Sequence, residues 1–169
     1  MSVQIEESGV LFGDFELDDL FQIEKSTAVD SLGDGIHKVE CVVHQEQNKH
    51  IVFLEAKSSY PRQADDFFQE IKAKMLHSIT IWFAAVAGRY PDIKTDIGAN
   101  LQKTATLKKP IHLVLVVPNM PIEHCIGATD KFRQCLNLER RLWNIKDNHI
   151  RVLNTEKAKQ FGLVSPSHC

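Results

Sequence analysis

The sequence predicts an α/β domain in which helices lie on both sides of a mixed central sheet. Two β-branched, apolar runs within 37–57 flank a polar tip, which is typical of an antiparallel β-hairpin. A stretch over 63–88 repeats apolar residues at helical spacing. The apolar run within 110–121 lacks alternation, as in a strand buried on both faces, and a helical pattern and another strand follow it. Antiparallel pairing early and strand–helix alternation later favour a mixed sheet.

The N-terminal part of this fold is predicted to be helical. In segment 13–27, acidic residues accompany apolar residues at 15, 17, 20, 21 and 23, a pattern that favours a short helix. Two glycines flank Asp34 and predict a turn or loop over 31–36. The hairpin follows, with its tip centred near Gln47–Asn48, and this centre pairs residues whose numbers sum to about 95.

A long helix is predicted after the hairpin, from about 63 to about 88. Pro61 precedes it, and Gly88 and Pro91 supply its stop signals. The other predicted elements are a helix over 97–107, the strand within 110–121, an amphipathic helix over 129–148 capped by Thr129 or Asp130, a strand over 149–154 and a helical tail over 155–161.

Size and composition indicate one soluble domain. The 169 residues support a core over about 13–154 and a short C-terminal tail. A net charge of −2 argues against a histone-like protein that binds nucleic acid through its overall charge. The N-terminus lacks the pattern of a signal peptide, and the apolar run 79–88 is too short to cross a bilayer of about 30 Å. Four cysteines without a CxxC pair favour a reducing compartment, so we expect a cytoplasmic protein without membrane contact.

Glu55 and Lys57 follow directly after the apolar residues 51–54 at the end of the second hairpin strand. Alternate strand residues point to the same face, so the carboxylate and the ammonium share a face. A charge that is buried there without a partner carries a large desolvation cost. This position therefore predicts a functional reason for the two charges.

The predicted hairpin pairing places Glu40 opposite Glu55, with Cβ atoms about 4.5–5.5 Å apart. Two carboxylates at that distance repel each other unless a cation lies between them. Mg²⁺ or Mn²⁺, which prefers oxygen ligands, removes this conflict. Lys57 can then orient or help deprotonate a metal-bound water and stabilise developing negative charge.

The order of these residues and elements resembles that of the PD-(D/E)xK, or restriction-endonuclease-like, nuclease family. The matched pattern runs through IEKS, KVECVV and IVFLEAKSS to the long helix and the buried strand, over about 15–120. The resemblance implies a restriction-endonuclease-like core and a metal-dependent phosphodiesterase. It also implies that Glu40 and Glu55 hold Mg²⁺ or Mn²⁺ as the cofactor and that Lys57 assists the attacking water.

The resemblance implies roles for further residues. Glu24, on the first predicted helix, matches the family's variable helical acid, and Gln69 or Lys72 on the long helix matches an occasional extra polar residue. The first strand acid of the family is usually Asp, whereas this chain has Glu40. Asp34, in the loop before the strand, is therefore the alternative first metal ligand.

These observations predict a nuclease that hydrolyses phosphodiester bonds, with DNA favoured over RNA. Bacterial defence against foreign DNA is the context expected by analogy. Because the chain is not basic overall, we expect a homodimer or a partner protein to help hold the nucleic acid. The basic side chains expected to contact it are Lys103, Lys108, Lys109, Arg133, Arg140 and Arg141. Two alternatives stay open: an interaction or regulatory subunit with the same fold and a degraded site, and a toxin-like or immunity protein whose acidic first helix masks a basic partner.

Overall fold

Five strands form a mixed sheet at the centre of the computed structural model, which describes residues 1–165. Within this part of the chain the strands are β1 (Ser2–Glu7), β2 (Val10–Glu16), β3 (Leu20–Phe21), β4 (Cys41–Gln45), β5 (His50–Ala56), β6 (Ile111–Val116) and β7 (Ile150–Leu153). The α-helices are α1 (Thr27–Asp30), α2 (Asp65–Val86), α3 (Pro91–Thr95), α4 (Ile122–Cys135), α5 (Asn137–Leu142) and α6 (Thr155–Gln160). Short 3₁₀ helices cover Leu17–Asp19, Ile23–Lys25, Thr104–Lys108 and Asp147–His149.

The central sheet has the strand order β3-β4-β5-β6-β7, and β1 and β2 form a separate two-stranded sheet. Strands β3, β4 and β5 pair antiparallel, whereas β5, β6 and β7 pair parallel. This arrangement confirms the predicted mixed sheet. Strands β4 and β5 form the predicted hairpin around residues 46–49, and their pairs, such as Cys41 with Leu54, have the predicted sum of residue numbers.

Alternate residues of β5 point into two cores, one on each face of the sheet. Phe53 packs with α2 residues such as Met75, and α4 joins the same core. Leu54 points to the opposite face, where it shares a core with Phe12 of β2 and with part of α6. Helices therefore lie on both sides of the sheet, as predicted, but the β1–β2 hairpin covers much of the second side.

The helix predicted over 13–27 is wrong, because most of that segment forms β2, β3 and 3₁₀ turns. The register between β1 and β2 pairs Val3 with Phe15 and Ile5 with Phe12, so β2 contains one residue more than β1 between these two pairs. This β-bulge sets the two phenylalanines three residues apart instead of two. The helix prediction itself rested in part on Phe15, Leu20 and Phe21, which belong to β2 and β3 and are separated by a 3₁₀ turn.

The helix predicted over 97–107 is also wrong. This segment consists mainly of turns, with α3 before it and a 3₁₀ helix at its end. Gly98 instead follows the edge of β3, where its backbone N–H donates to the carbonyl oxygen of Leu20 at 2.9 Å. A Cβ atom at Gly98 would lie 2.4 Å from the carbonyl oxygen of Leu17, so this close approach requires glycine.

The helix predicted over 129–148 has different bounds in the structure. It begins earlier, at Ile122, and is interrupted between α4 and α5. Neither Thr129 nor Asp130 caps it, because both residues lie inside α4. The Thr129 hydroxyl accepts a hydrogen bond of 2.9 Å from the backbone N–H of Val152 and so ties α4 to the edge strand β7.

The remaining predicted elements are confirmed as the turn over 31–36, α2, β6, β7 and α6. Buried Ile5 and Leu163 lie outside the predicted core of 13–154. The last residues of the predicted C-terminal tail, 166–169, lie outside the described residues. Among the described helices, none combines the length and the apolar composition that crossing a membrane requires.

Candidate functional site

The carboxylate of Glu55 is completely buried near the end of β5, on the face that packs against α2. Its Oε1 atom accepts a hydrogen bond of 2.7 Å from the Lys74 ammonium, which reaches over from α2. The Lys57 ammonium lies 3.7 Å from the same oxygen. Within the described residues, Oε2 of Glu55 has no hydrogen-bond partner. One oxygen of this buried carboxylate is thus compensated, and the other is left able to bind a cation.

Glu40 lies directly before β4 and is half-buried. Its backbone N–H donates to the carbonyl oxygen of Leu54 at 3.0 Å, although Leu54 is already the partner of Cys41, so the regular register of the hairpin ends before Glu40. Burial and the nearby negative charge of Glu55 raise the pKa of Glu40 to about 7. The charge of Glu55 therefore disfavours the ionised form of Glu40.

Burial raises the pKa of Glu55 as well, although the charges of Lys74 and Lys57 act in the opposite direction. For Lys57, burial lowers the pKa, but a hydrogen bond of 2.8 Å to Glu70 and the charge of Glu55 outweigh it and raise the pKa. Lys57 is therefore a stable ammonium. It is suited to bind an anion or orient a water, and unsuited to accept a proton from one.

Helix α2 forms one wall of the site. Glu70 and Lys74 lie four residues apart and so share a helix face. Farther along this helix, the Ser78 hydroxyl accepts a hydrogen bond of 3.0 Å from the backbone N–H of Val39. The helix thereby fixes both the lysine that contacts Glu55 and the chain segment that carries Glu40.

Lys74 is the site residue that the sequence interpretation missed. The sequence carries a partial signal for it, because Lys74 lies three residues after Ile71 and one before Met75 in the apolar pattern of the predicted helix, and both apolar residues are completely buried in the structure. This spacing places the lysine on the buried face of α2. A lysine on such a face needs an anionic partner, and Glu55 is that partner.

The other predicted acids lie at the margin of the site. Glu24 is exposed in a 3₁₀ turn rather than on an α-helix, and its charge contributes to raising the pKa of both Glu40 and Glu55. Asp34 is exposed in the turn over 31–36. The effect of the Glu55 charge on Glu40 therefore favours Glu40 over Asp34 as the partner of Glu55. Glu7 of β1, which the sequence did not indicate, also raises the pKa of Glu40.

Gln69 and Lys72 turn toward α4 and α5 instead of the site. The Gln69 amide lies 3.5 Å from the sulfur of Cys135. The Lys72 ammonium forms an ion pair of 2.5 Å with Glu139 and donates to the carbonyl oxygen of Cys135 at 3.3 Å. The contacts of both side chains join α2 to its neighbouring helices and do not bring them to Glu55.

The predicted basic contacts around 103–109 lie far from Glu55. Lys108 and Lys109 precede β6, whereas Glu55 is level with Leu115 near the other end of that strand. At about 3.3 Å per residue, this separation along the sheet is roughly 20 Å. Lys109 contacts His44 at the distant end. These lysines do not share a surface with the two carboxylates.

The predicted arginine contacts are occupied within the protein. Arg133 donates to the carbonyl oxygen of Ile150 at 3.2 Å. Arg140 forms an ion pair of 3.0 Å with Asp147, and Arg141 donates to a carbonyl oxygen of its own helix at 3.1 Å. Their contacts stabilise α4, α5 and the β7 edge.

The donor set of the site fits a hard divalent cation that also binds its substrate. Among residues 1–165, no group of three or more His, Cys, Asp or Glu side chains converges on one point. Glu40 and Glu55 are the two carboxylates on offer, and Oε2 of Glu55 is a buried acceptor that has no partner among those residues. Mg²⁺ is commonly held by one or two carboxylates, with waters and phosphate oxygens completing its shell.

Comparison of the chain with models of protein families, with curated proteins and with solved structures finds no match. The resemblance to the nuclease family therefore depends on the order of the elements and on Glu40, Glu55 and Lys57 alone. The geometry of these side chains has to carry any inference about function.

Proposed function

We propose that the protein is a Mg²⁺- or Mn²⁺-dependent phosphodiesterase that hydrolyses nucleic acid, with DNA favoured over RNA. One observation carries this proposal: within the described residues the buried Glu55 has an oxygen without a hydrogen-bond partner, and Glu40 lies at the same end of the hairpin. Lys57 follows at the same strand end, 3.7 Å from Glu55. A cation, a carboxylate pair and an ammonium at one point suit the anionic phosphodiester group.

In this proposal Glu40 and Glu55 hold the divalent cation. When bound, such a cation polarises a phosphoryl oxygen and lowers the pKa of a bound water. Lys57 remains charged and binds an anionic oxygen, and Glu70 positions its ammonium. The acidic surroundings offer little attraction to a polyanion, so we expect a second copy or a partner protein to supply the basic surface. A cytoplasmic location and a role in defence against foreign DNA remain predictions from the resemblance.

The experiment is cleavage of supercoiled plasmid, single-stranded DNA and RNA by the purified protein in Mg²⁺ or Mn²⁺. Glu55→Gln and Lys57→Ala are expected to abolish cleavage, because each removes one charge from the site. Glu46→Gln, at the exposed tip of the same hairpin, and Lys131→Ala, on the exposed side of α4, are matched controls that keep it. Absence of cleavage by the folded wild type, or cleavage that survives both site variants, would contradict the proposal.

Lys74 favours a second candidate function, in which the same fold serves as a non-catalytic interaction or regulatory subunit. Its ammonium already compensates Glu55 at 2.7 Å, as in a structural ion pair. For such a subunit, Mn²⁺ leaves the unfolding temperature unchanged and none of the three substrates is cleaved. The same plasmid assay, combined with thermal unfolding in Mn²⁺, separates the two functions.

A further inference from the structure

Lys74 is the main counter-charge of Glu55. Its ammonium lies 2.7 Å from Oε1, and its side chain is only 17% exposed. Lys57 is 3.7 Å from the same oxygen and forms a shorter ion pair of 2.8 Å with Glu70. Since Lys57 is engaged by Glu70, the charge of Glu55 is offset chiefly by Lys74.

The charges at this point do not balance. The ammonium of Lys74 is bound to Glu55 and is also the cation that acts on Glu40, while Glu24 adds further negative potential. Oε2 of Glu55 has no hydrogen-bond partner within the described residues. The site therefore has the negative charge to bind a further cation, and that cation competes with the ammonium of Lys74.

We propose that Lys74 is the resident cation of this site and that a divalent metal binds Glu55 in competition with its ammonium. The inference rests on the proposed function, because that function supplies the metal. Two positive charges beside one carboxylate oppose each other, so the lysine lowers the affinity for the metal, and the metal weakens the hold of Glu55 on the lysine. The lysine thus sets the metal concentration at which the site fills.

A purely structural ion pair has a different consequence. If Lys74 only anchors α2 to β5, its loss leaves Glu55 without a counter-charge and disturbs the carboxylate, and the metal is bound no more tightly. The direction of the change in Mn²⁺ affinity therefore separates competition from anchoring.

The test is titration of the full chain with Mn²⁺ by calorimetry, with thermal unfolding measured in parallel. Lys74→Met removes the charge, whereas Lys74→Gln removes the charge but retains a donor for Oε1 of Glu55. We expect both to bind Mn²⁺ about tenfold more tightly than wild type or better, and to show a larger rise in unfolding temperature on adding Mn²⁺. Lys74→Arg keeps the charge and is expected to bind Mn²⁺ like wild type.

Lys72→Met is the matched control, because Lys72 also lies on α2 and forms an ion pair, but with Glu139. Its Mn²⁺ affinity is expected to equal that of wild type. Adding Glu55→Gln to Lys74→Gln is expected to abolish the increase in Mn²⁺ affinity. Folded Lys74→Gln protein that binds Mn²⁺ no more tightly than wild type would overturn the inference.

Plasmid cleavage by the wild type distinguishes failure of this inference from failure of the proposed function. Cleavage that needs Glu55, without tighter Mn²⁺ binding by the Lys74 variants, overturns the competition and leaves the nuclease. Tighter Mn²⁺ binding by these variants, without cleavage of any substrate by wild type, supports the competition and overturns the nuclease.

Discussion

Three histidines at the opposite end of the sheet from Glu55 predict a strong loss of stability in acid. The ring of His112 stacks on His50 and on His149, with centroids 4.0 Å apart in both pairs. His50 and His112 are buried, and Nδ1 of His112 has no hydrogen-bond partner within the described residues. Burial, the neighbouring histidines and Arg151 lower the pKa of His50 to about 4 and that of His112 to about 3.

The sign follows from comparing the folded and unfolded chains. An unfolded histidine takes up a proton near pH 6.5, whereas these two stay neutral in the folded state until the pH is far lower. Between these limits the unfolded state binds more protons, so stability falls as the pH falls. Lowering the pH from 7 to 5 therefore reduces the free energy of unfolding by about 2 kcal/mol for each histidine. For the pair, this loss is a large part of the unfolding free energy of a typical domain, which is roughly 5–15 kcal/mol.

Urea unfolding at both pH values measures this loss. His112→Phe keeps a ring in the stack and removes the proton-binding group and the unpaired nitrogen, so we expect it to abolish about 2 kcal/mol of the loss. His124→Gln, at an exposed position of α4, is the control and is expected to retain the full loss. Equal unfolding free energies at the two pH values, or an unchanged loss in His112→Phe, would refute the reasoning.

Three further predictions concern other parts of the protein. Glu40→Gln is expected to stabilise the metal-free protein by about 1–2 kcal/mol near pH 8 and not near pH 4. The reason is the raised pKa of Glu40, which makes its ionised form destabilising as the pH rises from about 4.5 to 7. Urea unfolding without metal measures this effect, and equal effects at both pH values would contradict it. Gly98→Ala is expected to lower the unfolding temperature, because its Cβ would meet the Leu17 carbonyl oxygen at 2.4 Å; an unchanged temperature contradicts that close approach. Phe12→Ala is expected to lower the free energy of unfolding by about 3–5 kcal/mol, because this side chain is completely buried between the N-terminal hairpin and the sheet. A loss below about 1 kcal/mol in urea unfolding would show that the hairpin is not part of the core.

The sequence predicted the elements whose signals are local. The hairpin register followed from the centre of its polar tip, because pairing in a tight hairpin is fixed by the turn. Helix α2 followed from its apolar spacing and its stop signals. The helix over 13–27 was wrongly predicted because Phe15 of β2 and Leu20 and Phe21 of β3, which a 3₁₀ turn separates, are buried from two different strands, and which strands pair is not a local property of the sequence.

The candidate site was predictable only in its hairpin part. Glu55 and Lys57 follow from strand alternation, which is a local property, whereas Glu40 lies just beyond the regular register of the hairpin. Lys74 enters through the packing of α2 on the sheet, so its contact with Glu55 depends on tertiary structure. The positions of the basic residues likewise depend on which end of each strand lies near the site. The number of charges in the sequence does not reveal this topology.

The most direct test of the central claim is the rate of plasmid nicking as a function of Mn²⁺ concentration, compared between wild type and Glu55→Gln. If Glu40 and Glu55 form the metal site of a nuclease, the wild type nicks the plasmid with saturable dependence on Mn²⁺ and Glu55→Gln shows no nicking at any concentration. Equal nicking by both proteins, or none by folded wild type at saturating Mn²⁺, would contradict the claim.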